Sequence, residues 1–288
     1  MSEEPAQTAP EAPDDADDLR GFHFKRLLNK PLTWTLIGVE VALVGILLAA
    51  YVNPAIGGAG AVVAFLGGVL LVFVIADSRA EQGFFETYAA KNGLELGGRS
   101  PLPETTPLLR KGDDRYAERS LSGSFGEGVE GILALFTYED ESTDADGSRQ
   151  TNYYHYTVGL VPVPECVSHV PELFCRRKSG LRSLEKVEDV FRSTERVKFE
   201  SEALDERYEI FSGKDQVWLR RLFSPTFVVW LGEEAPKKFA FELVDGTLCC
   251  FVNGHEKSAA ALDTMRAATA TVARRLQEES LETSPSGS

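Results

Sequence analysis

Residues 32–76 read LTWTLIGVEVALVGILLAAYVNPAIGGAGAVVAFLGGVLLVFVIA. Two apolar runs, about Leu32 to Val52 and Ile56 to Ala76, flank a short uncharged link, Tyr51-Val52-Asn53-Pro54. Each run is ~20 residues, the length an α-helix needs to cross a ~30 Å hydrocarbon core. Lipid offers the backbone no hydrogen-bond partners, so the expected conformation is a transmembrane helical hairpin over 32–76. A secretory signal is a poor alternative, because the first run is too long for its apolar core and a second run follows at once. Arg20, Lys25, Arg26 and Lys30 precede the hairpin, and Arg79 and Lys91 follow it. The positive-inside rule then predicts a multi-pass protein of the cytoplasmic membrane with both termini in the cytoplasm. Trp34 and Tyr51 fall where interfacial aromatics anchor a span.

Small residues recur at helical spacing: Gly38, Ala42, Gly45 and Ala49 in the first run, Gly60, Ala64 and Gly68 in the second. Such stripes let helices approach closely, here within one chain or between copies. Glu40 is the only acid or base in either run. It lies about 200° around the helix from Gly38, away from the small stripe. A carboxylate at that depth costs about 2.5–3.5 kcal/mol, which makes Glu40 a candidate polar contact to a partner helix.

The 288 residues leave room for one sizeable domain beyond the hairpin. The net charge of −14 argues against general nucleic-acid binding. Residues 1–19 form an acidic Pro/Ala-rich tail expected to be disordered, 20–31 a basic juxtamembrane segment, 77–279 a cytoplasmic domain and 280–288 a second tail. Cys166, Cys175, Cys249 and Cys250 make no paired C-x-x-C pattern, so no metal and no cofactor is expected.

Within the domain, residues 78–92 predict a helix with Phe84, Phe85, Tyr88 and Ala89 on its apolar face and Asn92-Gly93 as its stop. VEGILALFTY, residues 129–138, predicts a central strand. An exposed loop is expected over 140–150 and a returning strand over 153–163, with His155 on the face opposite Tyr154, Tyr156, Val158 and Leu160. Leu181, Leu184, Val187 and Phe191 predict a short amphipathic helix. Strands are expected near 197–201 and 207–211, helices over 215–223 and from Ser224-Pro225 to Gly232, and a hairpin turning at Asp245-Gly246. A helix over about 258–279 closes the domain. The fold class is α+β: an N-terminal transmembrane hairpin, then an antiparallel sheet with packed helices.

Gly126-Glu127-Gly128-Val129-Glu130-Gly131 matches G-x-G-x-x-G, but strand-forming residues follow it and two glutamates would repel phosphate, so it predicts a turn. Arg176, Arg177, Lys178 and Arg182 form a candidate lipid-facing basic patch. His155, Cys166 and His169 are the weak candidates for an enzyme at a membrane surface.

The F-F-x-x-Y-A pattern at Phe84–Ala89, the strand ending in Thr137-Tyr138-Glu139, the segment Val170–Phe174 and Phe223-Ser224-Pro225 occur together with the two apolar runs. In this organisation the chain resembles uncharacterised two-pass membrane proteins of bacteria. The resemblance implies a bacterial cytoplasmic-membrane protein and carries over no catalytic residue. The resulting expectation is a membrane-anchored binding or scaffolding module without a recognisable catalytic site. Its expected partners are the lipid bilayer and another membrane protein or a second copy of the chain. The alternatives are an accessory subunit of a transporter or channel, or an enzyme at the membrane surface.

Overall fold

The computed structural model describes residues 31–51, 54–143, 146–178, 195–199, 201–213 and 216–283. It divides into two compact units, Met1–Tyr88 with Lys257–Ala259, and Ala89–Glu256 with Ala260–Ser288.

In the first unit, α1 spans Pro31–Tyr51 and α2 starts at Pro54. Among the described residues no helix is long and apolar enough to cross a membrane. This corrects the expected transmembrane hairpin, the two-pass topology and the multi-pass cytoplasmic-membrane localisation, because crossing needs about 20 apolar residues on one helix. The element boundaries differ as well. The second apolar run does not end before a separate helix at 78. It continues without a break through Arg79, Glu81, Glu86 and Lys91 as one helix, Pro54–Asn92. Near its end, Phe84 meets Phe85 edge-on at 5.1 Å and stacks with Tyr88 at 6.1 Å between ring centroids. Glu81 Oε2 pairs with Lys257 Nζ at 3.1 Å. Gly93, at φ +65°, ends the helix in the left-handed conformation that suits glycine.

The second unit is built on a nine-stranded antiparallel sheet, counted among the described residues, in the order β1-β2-β3-β4-β9-β8-β5-β7-β6. The strands are β1 Glu95–Gly97, β2 Asp114–Gly126, β3 Val129–Thr143, β4 Arg149–Pro162, β5 Glu172–Arg177, β6 Glu195–Val197, β7 Tyr208–Ser212, β8 Ala240–Val244 and β9 Thr247–Asn253. The β3–β4 ladder runs from Ile132 opposite Leu160 to Thr143 opposite Arg149. Most of the loop expected over 140–150 is therefore paired strand. At the G-x-G-x-x-G stretch β2 turns into β3 through Glu127 and Gly128, at φ +50° and +80°. Asp245 and Gly246 turn β8 into β9 with positive φ at both positions, as a type I′ turn requires.

One face of the sheet carries Ala134, Phe136, Tyr138, Tyr156, Val158, Leu160, Cys249 and Phe251, covered by Leu108 and Leu109 from a 3-10 turn. The helices lie on the other face. They are α3 Glu202–Arg207, α4 Gln216–Leu222, α5 Pro225–Glu233 and α6 Ala259–Thr283. Ser201 and Ser224 cap α3 and α5 through the backbone N–H groups of Leu204 and Phe227. Phe223 stacks over Phe241 of β8, and Arg275 of α6 donates to the Leu222 carbonyl at 3.3 Å. Gly159 lets α6 approach β4 closely: a Cβ there would stand 2.9 Å from Thr269 Cγ2. The expected tail 1–19, residues 284–288 of the expected tail 280–288, the basic segment up to residue 30 and the amphipathic helix around Leu181–Phe191 lie outside the described residues, whereas residues 280–283 are the end of α6, which runs on to Thr283.

Candidate functional site

The polar face of the β2–β3–β4 region gathers four side chains. Thr137 of β3 stands opposite His155 of β4 in register. On the other side, the β2–β3 register slips between Ala117 and Arg119, so Glu118 is the extra residue of a β-bulge. A bulge bends the strand and re-aims its side chain. Here it brings Glu118 to Thr137, whose buried hydroxyl donates to Oε1 at 3.0 Å. The same hydroxyl lies 3.0 Å from His155 Nδ1 and 3.3 Å from His255 Nε2.

His255 arrives from the turn after β9. Thr157 holds that turn by donating its hydroxyl to the Gly254 carbonyl at 2.9 Å and accepting from the Glu256 N–H at 2.8 Å. The His155 carbonyl accepts from Gly254 N–H at 2.8 Å. His255 Nε2 sits 3.2 Å from the Phe136 carbonyl, and its Nδ1 lies 3.8 Å from Glu118 Oε2. The two imidazoles meet edge-on with centroids 4.6 Å apart. One ligand atom each from Glu118, His155 and His255 lies within 4.8 Å of the others, so these three side chains could hold a metal ion.

A second feature is a groove of about 460 Å³ beside α3, β7, α4 and α5. Phe199, Leu204, Tyr208, Phe223, Val228 and Val229 line it, together with the charged Arg207, Arg220 and Glu233. Arg207 Nη1 donates to the Gly232 carbonyl at 2.6 Å and ties α3 to α5. Tyr208 donates its hydroxyl to the Leu231 carbonyl at 3.1 Å, and burial pushes that phenol up to about 12. Phe199, Tyr208 and Phe223 are buried, whereas Val229 is 53% exposed.

The residues singled out from sequence are scattered. Arg176 donates to Glu242 Oε1 at 3.2 Å, and Glu242 is fully buried in β8, where its other oxygen accepts from Leu108 N–H at 2.9 Å. Burial raises the Glu242 carboxyl and lowers the Arg176 guanidinium from their ordinary values, while the mutual attraction opposes both shifts. Arg177 is half-buried, Lys178 is exposed, and Arg182 lies outside the described residues. Glu40, Gly38 and Ala42 are exposed on α1, Gly60 and Ala64 are half-buried on α2, and Gly68 is buried. Nothing is described of the surroundings of Gly45 and Ala49.

Cys166 is buried against α6, where its thiol donates to the Leu276 carbonyl at 3.6 Å and accepts from the Ser280 hydroxyl at 3.3 Å. Burial pushes that thiol up to about 11, away from the thiolate a nucleophile needs. His169 stacks on Trp218 with centroids 6.1 Å apart. His155 instead keeps company with Glu118, Thr137 and His255, none of which sequence spacing placed beside it. The available signal was weak: a histidine on a sheet face, a polar strand preceding it, and a second histidine after a strand-ending Asn-Gly.

No family model matches the chain, and no curated protein matches it. Among solved structures it is similar to that of the mycobacterial trehalose monomycolate transport factor A, TtfA, with a TM-score of 0.43 and 12% sequence identity, over 67% of this chain and 90% of that one.

Proposed function

We propose that the sheet domain is a binding module, and that the groove beside α3, β7, α4 and α5 takes an apolar segment of a protein partner flanked by acidic residues. The observation that carries this reading is the composition of the groove: aromatic and aliphatic walls with two arginines, Arg207 and Arg220, against one acid, Glu233, in a chain of net charge −14. Concave apolar sites with a few placed polar groups are the usual form of a binding site. Arginine is also the cation that best matches a carboxylate in two-point contact. A transport protein as occupant would make the chain an accessory subunit of that assembly.

The test uses the full chain as bait for a displayed library of random peptides. Selected peptides are expected to combine an apolar core with flanking Asp or Glu. Val229→Asp and Arg220→Glu each alter an exposed groove residue and should weaken the binding of such peptides about tenfold or more, ~1.4 kcal/mol. Peptides that bind both variants as tightly as the parent chain would overturn the assignment, as would a library that yields no binder.

A further inference from the structure

We propose that Glu118, His155 and His255 form a binding site for a divalent transition metal of the zinc type. The inference does not depend on the groove: it concerns other strands and another chemistry. Two imidazoles and one carboxylate within 4.8 Å of one another are the ligand set of an open, three-residue metal site. Imidazole nitrogen suits zinc, copper, nickel and iron, whereas calcium and magnesium take oxygen shells, so the donor set selects among cations.

The surrounding hydrogen bonds orient the ligands. A backbone carbonyl only accepts, so His255 Nε2, 3.2 Å from the Phe136 carbonyl, carries the proton. The neutral ring then presents its lone pair at Nδ1, the atom 3.8 Å from Glu118 Oε2. Two ligands bonded at 2.0–2.2 Å to a tetrahedral ion stand about 3.4 Å apart, so Glu118 and His255, at 3.8 Å, must close by a few tenths of an ångström, and the widest pair of the three, within 4.8 Å, by up to about 1.4 Å of side-chain movement. Glu118 Oε1 is engaged by Thr137, which leaves Oε2 turned toward His255. Such partners behind the ligands fix ring orientation in metal sites. His155 is exposed, so the remaining coordination positions open to solvent and can hold water or a ligand atom.

The test titrates chelator-treated full-length protein with cobalt(II) chloride and follows the visible absorption of low-coordinate cobalt, then displaces it with zinc chloride. One equivalent of cobalt is expected to generate the band, and one equivalent of zinc to abolish it. Calcium and magnesium should leave it untouched. Glu118→Gln, His155→Asn and His255→Asn should each weaken binding about 100-fold, while His23→Asn and His169→Asn should not change it. His155 is on the surface, so its variant keeps the fold, which far-ultraviolet circular dichroism checks. Absence of the band in the parent protein would overturn the proposal, and so would its persistence in a folded His155→Asn chain.

Discussion

Arg176 of β5 and Glu242 of β8 form an ion pair of 3.2 Å in which the carboxylate has no exposed surface. The pair lies between adjacent strands, and the Leu108 N–H closes it from the covering segment. Removing one partner of a buried pair leaves a charge in the interior, a loss of about 3–5 kcal/mol.

Arg176→Met should therefore destabilise the fold by about that amount at pH 7. The Glu242 carboxyl is raised above its ordinary value by burial, so the folded state binds the extra proton first as pH falls. Stability then decreases as pH rises through the window between the ordinary value of 4.5 and the raised folded value. In Arg176→Met, which loses the opposing attraction, the folded value rises further, so that fall should extend to higher pH and grow larger in total. Urea unfolding at pH 5 and pH 7 measures it, and equal losses at both would refute the account.

Lys111 gives a slope of the opposite sign. Burial first, then Arg176, lower its amine to about 8 from the ordinary 10.5. Between those values the unfolded state binds more protons, so this group makes stability rise with pH. Lys111→Met should flatten the rise between pH 8 and 9.5, and Arg176→Met should move its onset to higher pH. Unfolding midpoints of the three proteins across that window decide the matter.

Gly159→Ala should cost about 1–3 kcal/mol, because the new methyl meets Thr269 of α6 and a packed interface resists extra volume. Thr269→Ala removes the hydroxyl and the γ-methyl that stand in its way, so the double variant should regain part of the loss. A double-mutant cycle by chemical unfolding reads the coupling directly, and strict additivity would contradict the contact.

All four cysteines are buried, and burial raises the thiols of Cys166, Cys175, Cys249 and Cys250 above their ordinary value. A water-soluble disulfide reagent should label none of them in the native protein and all four in denaturant. Fast labelling under native conditions would mean that one of these sites opens.

The legible parts of the sequence were those where one local pattern decided the outcome. VEGILALFTY is nearly all apolar because β3 has neighbours on both sides and residues 133–138 are buried on both faces. Asp245-Gly246 and Ser224-Pro225 announced a turn and a helix start through backbone chemistry that needs no tertiary context. β2 leaves no strand signal in the sequence, since DRYAERSLSGSFG has small and charged residues where an amphipathic strand would alternate. The acidic end of β3 read as loop because its pairing with Arg149–Tyr153 across the hairpin carries no apolar signal. The apolar runs of residues 32–76 carry the local pattern of a membrane hairpin, yet among the described residues no helix is long and apolar enough to cross a membrane. The Glu118 cluster was invisible for a different reason. A one-residue register slip and a turn a hundred residues beyond His155 assemble it, and neither leaves a periodic trace.

The hydroxyl of Thr137 owns a single proton, yet three side chains meet it. A carboxylate accepts and never donates, so a proton given to Glu118 obliges His155 Nδ1 to supply its own. The tautomer of one imidazole is thus a consequence of where a threonine points, and the threonine's choice is made by an acid on a displaced strand. A ring flip, a protonation or the removal of the acid cannot stay local to its residue. Glu118, Thr137, His155 and His255 thus share one hydrogen-bonded network, centred on the Thr137 hydroxyl.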